Sequence, residues 1–357
     1  MKLTVAMAGG GTGGHVIPAL AVAEELRRRG HEPFFIGTRR GYEGRLVPKA
    51  GFPIEWIAVG GFNRVSWGQR LRSLWQFPLT VLRLVLTFLR RRPRAVFSMG
   101  GYVAAPVTVT AALMGVPIIL MEPNAVPGMA NRRIGRFVRR ALINFPETAD
   151  YFPVGISEAT GVPVREEFFR IEPPTNDRFT LLVTGGSQGS RTLNQAMRGS
   201  WPLFAPIRDR LRIIHQTGPA THAELAREFA SSGLEGEVTA FIADMSGAFA
   251  AADLIVSRAG ASTVSEIAAA GRPAVLVPFP YAADNHQLRN AEAFARTGAG
   301  IVIEDAQFTG DRLFREVSAL MQDRSRVRAM AAAARSFSRP GAATRAAEIV
   351  EEVAGAR

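Results

Sequence analysis

Gly9-Gly10-Gly11-Thr12-Gly13-Gly14 follows the short apolar run Leu3–Met7 and precedes a stretch with helical spacing. Further along, Gly185-Gly186-Ser187-Gln188-Gly189 follows Phe179–Val183 in the same way. A strand that feeds a glycine turn and then a helix gathers bare backbone N–H groups and the positive end of a helix dipole at one spot, a seat for phosphate. Two such seats far apart predict two nucleotide-type α/β domains facing each other across a cleft, with the function in that cleft.

The segments around the turns alternate accordingly. In the first half, strands are expected at Leu3–Met7, Pro33–Ile36, Ala95–Ser98, Pro117–Met121 and Ala141–Asn144. Helices are expected at Pro18–Arg29, Trp67–Arg91, Pro106–Met114 and Met129–Phe137. Helices between short apolar runs imply parallel strands. The second half repeats the theme, with strands near Thr180–Thr184, Arg212–His215, Val238–Phe241, Leu254–Ser257, Ala274–Pro278 and Gly300–Ile303. The polar, proline-rich Glu172-Pro173-Pro174-Thr175-Asn176-Asp177 reads as the linker, and Pro340-Gly341 sets off a terminal helix from Ala342. Tyr102–Met121 is uncharged over a span's length, but Pro106, Gly115 and Pro117 divide it into a core helix and a core strand.

A chain of 357 residues is long for one core, and 47% apolar with 21% charged residues excludes global disorder. The absence of cysteine removes disulfides, thiolate metal sites and cysteine nucleophiles. Met1-Lys2-Leu3-Thr4-Val5 has no signal-peptide anatomy, so a cytosolic-side protein is expected. The charge is lopsided: residues 1–170 carry 23 Lys+Arg against 11 Asp+Glu, so the whole net charge of +12 sits there. No acid falls between Glu55 and Glu122, while Arg64, Arg70, Arg72, Arg83, Arg90, Arg91, Arg92 and Arg94 do. Such a field attracts nucleic acid, anionic lipid or a polyanionic substrate. Trp67, Leu74, Trp75 and Phe77, interleaved with Arg70 and Arg72, form an aromatic-apolar stripe suited to an anionic membrane interface. An ordinary helix packed on a sheet is the bland alternative.

The chemistry-bearing positions follow from the loops. Gly9-x-Gly11-x-x-Gly14 matches the dinucleotide fingerprint, but the second strand runs into Thr38-Arg39-Arg40 with no acid for a ribose. An NADP-using reductase therefore stays open only through those arginines. His15, at the mouth of the helix, is a candidate proton acceptor. Ser187 offers a hydroxyl at the second turn, which lacks the Gly-Lys-Ser/Thr of a Walker loop. Arg258–Glu266 reads as a strand exit and helix start; Glu266, placed in the first turn, is a candidate grip for a vicinal diol or a capping-box acid. Pro278–Gln287 is a polar loop after a core strand. Isolated histidines and the absence of Asp-x-Asp argue against a metal site.

Taken in order, Gly9–His15 with Pro18, Met99-Gly100-Gly101-Tyr102, Glu122-x-Asn124, Gly185–Gly189, Arg258–Glu266 and Asp284-x-x-Gln287-x-x-Asn290 span nearly the whole chain. Together they resemble the peptidoglycan glycosyltransferases that add N-acetylglucosamine from UDP-GlcNAc to lipid-linked muramoyl-pentapeptide, turning lipid I into lipid II. The resemblance implies a GT-B fold of two Rossmann-like, doubly wound parallel-sheet domains. Residues 1–165 with the terminal helix 342–357 would take acceptor and membrane, and residues 166–340 the UDP-sugar. It implies an inverting, cofactor-free and metal-independent reaction by a peripheral enzyme on the cytoplasmic face of the cell (inner) membrane. Thr12, Gly13 and Gly14 would line the acceptor diphosphate and Asn124 would reach the donor sugar. Arg165 and Ser187 would meet UDP, and Ile242 would present backbone to uracil. Ala261, Ser262, Thr263, Val264, Ser265 and Glu266 would hold diphosphate and ribose, and Gln287 would bind the transferred sugar. Met121, Pro123 and Val162 depart from the family, which often has His, Gln and Asn there.

The expected reaction is attack of the acceptor C4 hydroxyl on the anomeric carbon, with His15 as favoured base and Glu122 as runner-up. Its nearest rivals are a UDP-GlcNAc 2-epimerase, which needs no lipid-facing patch, and another glycolipid glycosyltransferase. A nucleic-acid-binding module could use the arginines, but no DNA- or RNA-reading motif accompanies them. Partners among cell-wall synthesis and division proteins stay open.

Overall fold

The computed structural model describes residues 2–11, 13–59, 67–175 and 177–355, with side chains of the helix Trp67–Arg91 described from Gln76 onward. Contacts divide the chain into one unit of Met1–Pro163 with Gly341–Arg357 and a second of Val164–Pro340.

The first unit is built on seven parallel strands, β1 (Thr4–Gly9), β2 (Glu32–Gly37), β3 (Ile54–Trp56), β4 (Ala95–Gly100), β5 (Ile118–Glu122), β6 (Arg140–Ile143) and β7 (Ser157–Glu158), in the order β3-β2-β1-β4-β5-β6-β7. Although the strands read as continuous apolar runs, alternation divides them between two cores. Val5, Met7, Phe35 and Phe97 meet helix Gly13–Arg28 and the terminal helix Ala342–Gly355 on one face. Ala6, Ala8, Phe34 and Val96 meet Leu84 and Phe88 of helix Trp67–Arg91 and Val107 of helix Gly101–Leu113 on the other. Arg345 ties the terminal helix to this unit through a two-pronged bond to Glu158, 2.6 and 3.1 Å.

The second unit has six parallel strands, β8 (Phe179–Thr184), β9 (Leu211–Gln216), β10 (Glu235–Thr239), β11 (Leu254–Ser257), β12 (Ala274–Leu276) and β13 (Gly300–Val302), in the order β10-β9-β8-β11-β12-β13. In both units the order reverses beside the strand that feeds the glycine turn, the place where open α/β sheets bind ligands.

Three expectations shift. Helices expected at Pro18 and Pro106 start at Gly13 and Gly101, each five residues earlier and directly from the strand. Proline marks a first helical position in sequence; here it sits in the second turn, where it removes one intrahelical bond but lets the glycines form the first turn. The strand expected at Val238–Phe241 runs Glu235–Thr239 instead, and the short edge strands β3 and β7 were not anticipated. The proposed linker Glu172–Asp177, of which Asn176 lies outside the described residues, begins inside the second unit. Arg272 donates to Glu172 O (2.6 Å) and Arg335 to Ile171 O (2.6 Å), anchoring its entry. Burial of Arg272, all of whose hydrogen bonds go to backbone carbonyls, pulls its pKa down to about 10.

Candidate functional site

At the end of β1 the glycine loop is packed from every side. A Cβ on Gly10 would lie 2.7 Å from the Glu43 carboxyl carbon, one on Gly11 (φ +89°) 2.9 Å from the Tyr102 ring, and one on Gly101 (φ +79°) 3.3 Å from His15 Nδ1. Only glycine fits these close approaches, which explains why Met99-Gly100-Gly101-Tyr102 accompanies the first loop. His15 stands half-buried in the first helical turn, its Nδ1 3.4 Å from Gly10 O. Gly13 and Gly14 form that turn, and Thr12 lies outside the described residues.

Glu122, at the end of β5, is buried. It accepts from Asn124 N (2.9 Å), Asn124 Nδ2 (3.0 Å), Gly128 N (3.3 Å) and Asn131 Nδ2 (2.6 Å). Burial pushes its pKa up against the pull of these donors. Its carboxylate organises the following loop and sets Asn124. Asn131 in turn needs Gly100, whose Cβ would collide with its carboxamide.

The membrane-facing expectation meets a mixed result. Trp67, Arg70, Arg72, Leu74 and Trp75 belong to a helix whose path is seen, but their side chains lie outside the described residues. Phe77 is half-buried, one heptad before the core residue Leu84 and on its side of the helix. The opposite face exposes Leu79, Leu82, Leu86 and Leu89, each about 60% accessible, with Arg83 beside them. Among the described residues no helix is long and apolar enough to cross a membrane.

In the second unit, β8 runs into Gly185–Gly189, with Gly186 (φ +82°) and Gly189 (φ +74°) left-handed and Ser187 exposed at the tip. Ser190 caps the next helix, accepting from Leu193 N at 3.4 Å. Sequence reasoning missed the clip behind this loop, Gln216. Its amide donates to Gly186 O (2.8 Å) and Thr184 Oγ1 (3.3 Å), and its carbonyl accepts from Ile242 N (2.9 Å). One buried side chain therefore fixes both the loop and the segment expected at the nucleobase. Because the Ile242 N–H is engaged, the carbonyl is the backbone group Ile242 offers. Neighbouring His215 donates through Nε2 to Asn194 Oδ1 (3.0 Å), and burial holds its pKa down near 4, so it stays neutral.

The helix Ala261–Ala270 starts after Gly260 with no side-chain cap, which leaves first-turn N–H groups for a ligand. Val264 is buried in the core and can offer only backbone, whereas Ser262 and Thr263 are half-buried. Glu266 falls in the second turn, not the first, so the capping-box reading drops out. Burial raises its pKa from 4.5 to about 7, with the Arg165 charge opposing and Glu167 reinforcing the rise. Arg165 itself precedes the short helix Glu166–Phe169 and lies over the Phe168 ring. Gln287 accepts from Ala259 N (3.2 Å) and Phe279 N (3.0 Å), pinning two loops together. Just before it, Asp284 and Asn285 both hold left-handed backbone, φ +51° and +52°, strain of the kind stored at binding loops. Among the described residues, no group of three or more His, Asp or Glu is placed to hold a metal ion.

Residues 5–143 match the N-terminal domain of glycosyltransferase family 28 and residues 180–352 its C-terminal domain. The chain is 58% identical, over 98% of its length and 95% of the relative's, to the UDP-N-acetylglucosamine–N-acetylmuramyl-(pentapeptide) pyrophosphoryl-undecaprenol N-acetylglucosamine transferase of Solibacter usitatus. It is 43% identical to the Halorhodospira halophila protein of that name, over 98% of each chain. The crystal structure of Acinetobacter baumannii MurG superposes with a TM-score of 0.83 at 31% identity, covering 98% of this chain and 99% of that one. A UDP-N-acetylglucosamine 2-epimerase shares the fold alone, at 13% identity and a TM-score of 0.70 over 100% of this chain and 98% of that one. The chain therefore belongs to glycosyltransferase family 28, with the GT-B architecture and the membership in the lipid II-forming N-acetylglucosamine transferases that its motifs had suggested.

Proposed function

We propose that His15 is the base and the Ala261–Glu266 helix start the UDP seat of a GlcNAc transfer from UDP-GlcNAc to lipid I, which forms lipid II. Two observations, one within each unit, support this assignment: His15 stands at a glycine loop packed by Glu43, Tyr102 and Gly101 in the first, and in the second a helix start has no side-chain cap and carries Glu266 in its second turn. The muramic C4 hydroxyl attacks the anomeric carbon as His15 takes its proton. The new C1–O4 bond forms, the bond from C1 to the diphosphate oxygen breaks, and UDP leaves with inversion to a β linkage. Departing charge meets the N–H groups of Ala261–Thr263, assisted by Ser187 and Arg165. Glu266 accepts from the ribose hydroxyls, Gln287 and Asn124 face the transferred sugar, and the Ile242 carbonyl meets the uracil N–H. Thr12, Gly13 and Gly14 take the acceptor diphosphate.

His15 is favoured over Glu122 because the latter's oxygens already accept four hydrogen bonds inside the fold. The leucine face of helix Trp67–Arg91, on a unit carrying the chain's positive surplus, supports peripheral docking on an anionic cytoplasmic membrane surface. The test is transfer of radiolabel from UDP-GlcNAc to synthetic lipid I. Wild type should give labelled lipid II. The well-folded His15→Ala variant should lose roughly 10²- to 10⁴-fold in turnover, the contribution of a general base; turnover within a few-fold of wild type excludes His15.

A further inference from the structure

We infer that Glu43 is a positioning residue for this reaction, acting on His15 through the single peptide group that joins Gly10 to Gly11. Glu43 is fully buried at the start of helix Glu43–Lys49, and a Cβ on Gly10, Gly37 or Gly41 would collide with its side chain. All three of its donors are neutral. Thr38 N (3.0 Å) and Thr38 Oγ1 (2.7 Å) meet Oε1, and Gly11 N (2.9 Å) meets Oε2. The Gly11 N–H and the Gly10 C=O belong to the same planar unit and point to opposite sides of it. Glu43 holds the N–H side, and the C=O side faces His15 Nδ1 at 3.4 Å.

A carboxylate accepting from a peptide N–H polarises that peptide, and its carbonyl becomes a stronger acceptor. The strengthened carbonyl selects the imidazole tautomer that carries hydrogen on Nδ1, which makes Nε2 the nitrogen that takes the proton of the acceptor hydroxyl. The arrangement does through one peptide what a carboxylate does directly for a catalytic histidine elsewhere. The 3.4 Å separation is long, as such bonds are before substrate arrives. The glycines around it give this carboxylate its cage, and from the helix that follows β2 it faces the loop rather than a ribose.

This inference rests on His15 being the base, so the experiment separates the two. Nitrogen-15 spectra of histidine-labelled wild type, with His15→Ala identifying its signals, should show His15 hydrogenated on Nδ1. In Glu43→Gln the two tautomers should mix. In the same variant kcat should fall at least about 10-fold, within the range a general base contributes, while the KM for UDP-GlcNAc and the melting temperature stay near wild type. A wild-type His15 hydrogenated on Nε2 overturns the inference whether or not the variant folds. An unmoved tautomer and kcat in folded Glu43→Gln overturn it as well, with the His15 assignment intact. An active His15→Ala removes the base assignment itself.

Discussion

Replacing Glu266 with glutamine should trade nucleotide binding for stability, in a way that depends on pH. Burial raises the Glu266 pKa from 4.5 to about 7. A raised folded-state value means that the protonated form suits the fold. Its stabilising contribution is complete below about pH 4.5 and is lost as pH rises through about 7. The rise corresponds to at most about 3–4 kcal/mol at roughly 1.4 kcal/mol per pH unit, and partial exposure trims this to about 1–3 kcal/mol. Glutamine cannot ionise, so Glu266→Gln should gain that amount relative to wild type between about pH 4.5 and pH 8. Trp201 is the only tryptophan of residues 164–340, so its fluorescence reports this unit in a background where Trp56, Trp67 and Trp75 are phenylalanine. Urea titrations at stepped pH then give the stability gap directly. Calorimetry should show UDP affinity falling about 10- to 100-fold in the variant, the loss of hydrogen bonds to a charged acceptor. Wild type should release protons on binding UDP near pH 7, because the ribose favours the carboxylate. A stability gap that does not change with pH would refute the reasoning.

Other substitutions read out other parts. Gln216→Leu should lower UDP affinity and cost about 1–3 kcal/mol, since it leaves Gly186 O and Ile242 N without their buried partner; calorimetry and urea titration check both. Gly101→Ala, forced into φ +79° with its Cβ 3.3 Å from His15 Nδ1, should lower kcat at unchanged UDP affinity in steady-state assays. The pair Leu82→Asp and Leu86→Asp should cut flotation with anionic vesicles at least about 10-fold, given about 1.5–3 kcal/mol per buried leucine. Its turnover of a detergent-solubilised acceptor should stay the same.

The strand-glycine-helix punctuation made both sheets and both loops legible, because it is written in neighbouring residues. Helix starts were read late at Pro18 and Pro106 for a local reason: proline signals a first turn, and the glycines before it hid the true one. Glu43 and Gln216 were missed because their partners are distant in sequence. Glu43 reaches back 32 residues to Gly11, and Gln216 reaches 30 to Gly186 and 26 to Ile242. An acid lodged between Gly41 and Gly44, and a glutamine closing an apolar strand, were the available signals. Glu122 was legible as a chemical group but not as a loop organiser, since only the fold shows that its oxygens are already taken. The leucine face of helix Trp67–Arg91 was visible in part; the stripe mixed its exposed and buried sides.

Inverting transfer to the muramic C4 hydroxyl is recorded in the product itself. Two-dimensional proton NMR of the disaccharide released from the product made with UDP-GlcNAc and lipid I should show a β-configured GlcNAc joined to C4 of the muramic sugar. An α linkage, attachment at another hydroxyl, or conversion of UDP-GlcNAc to its 2-epimer without transfer would contradict it.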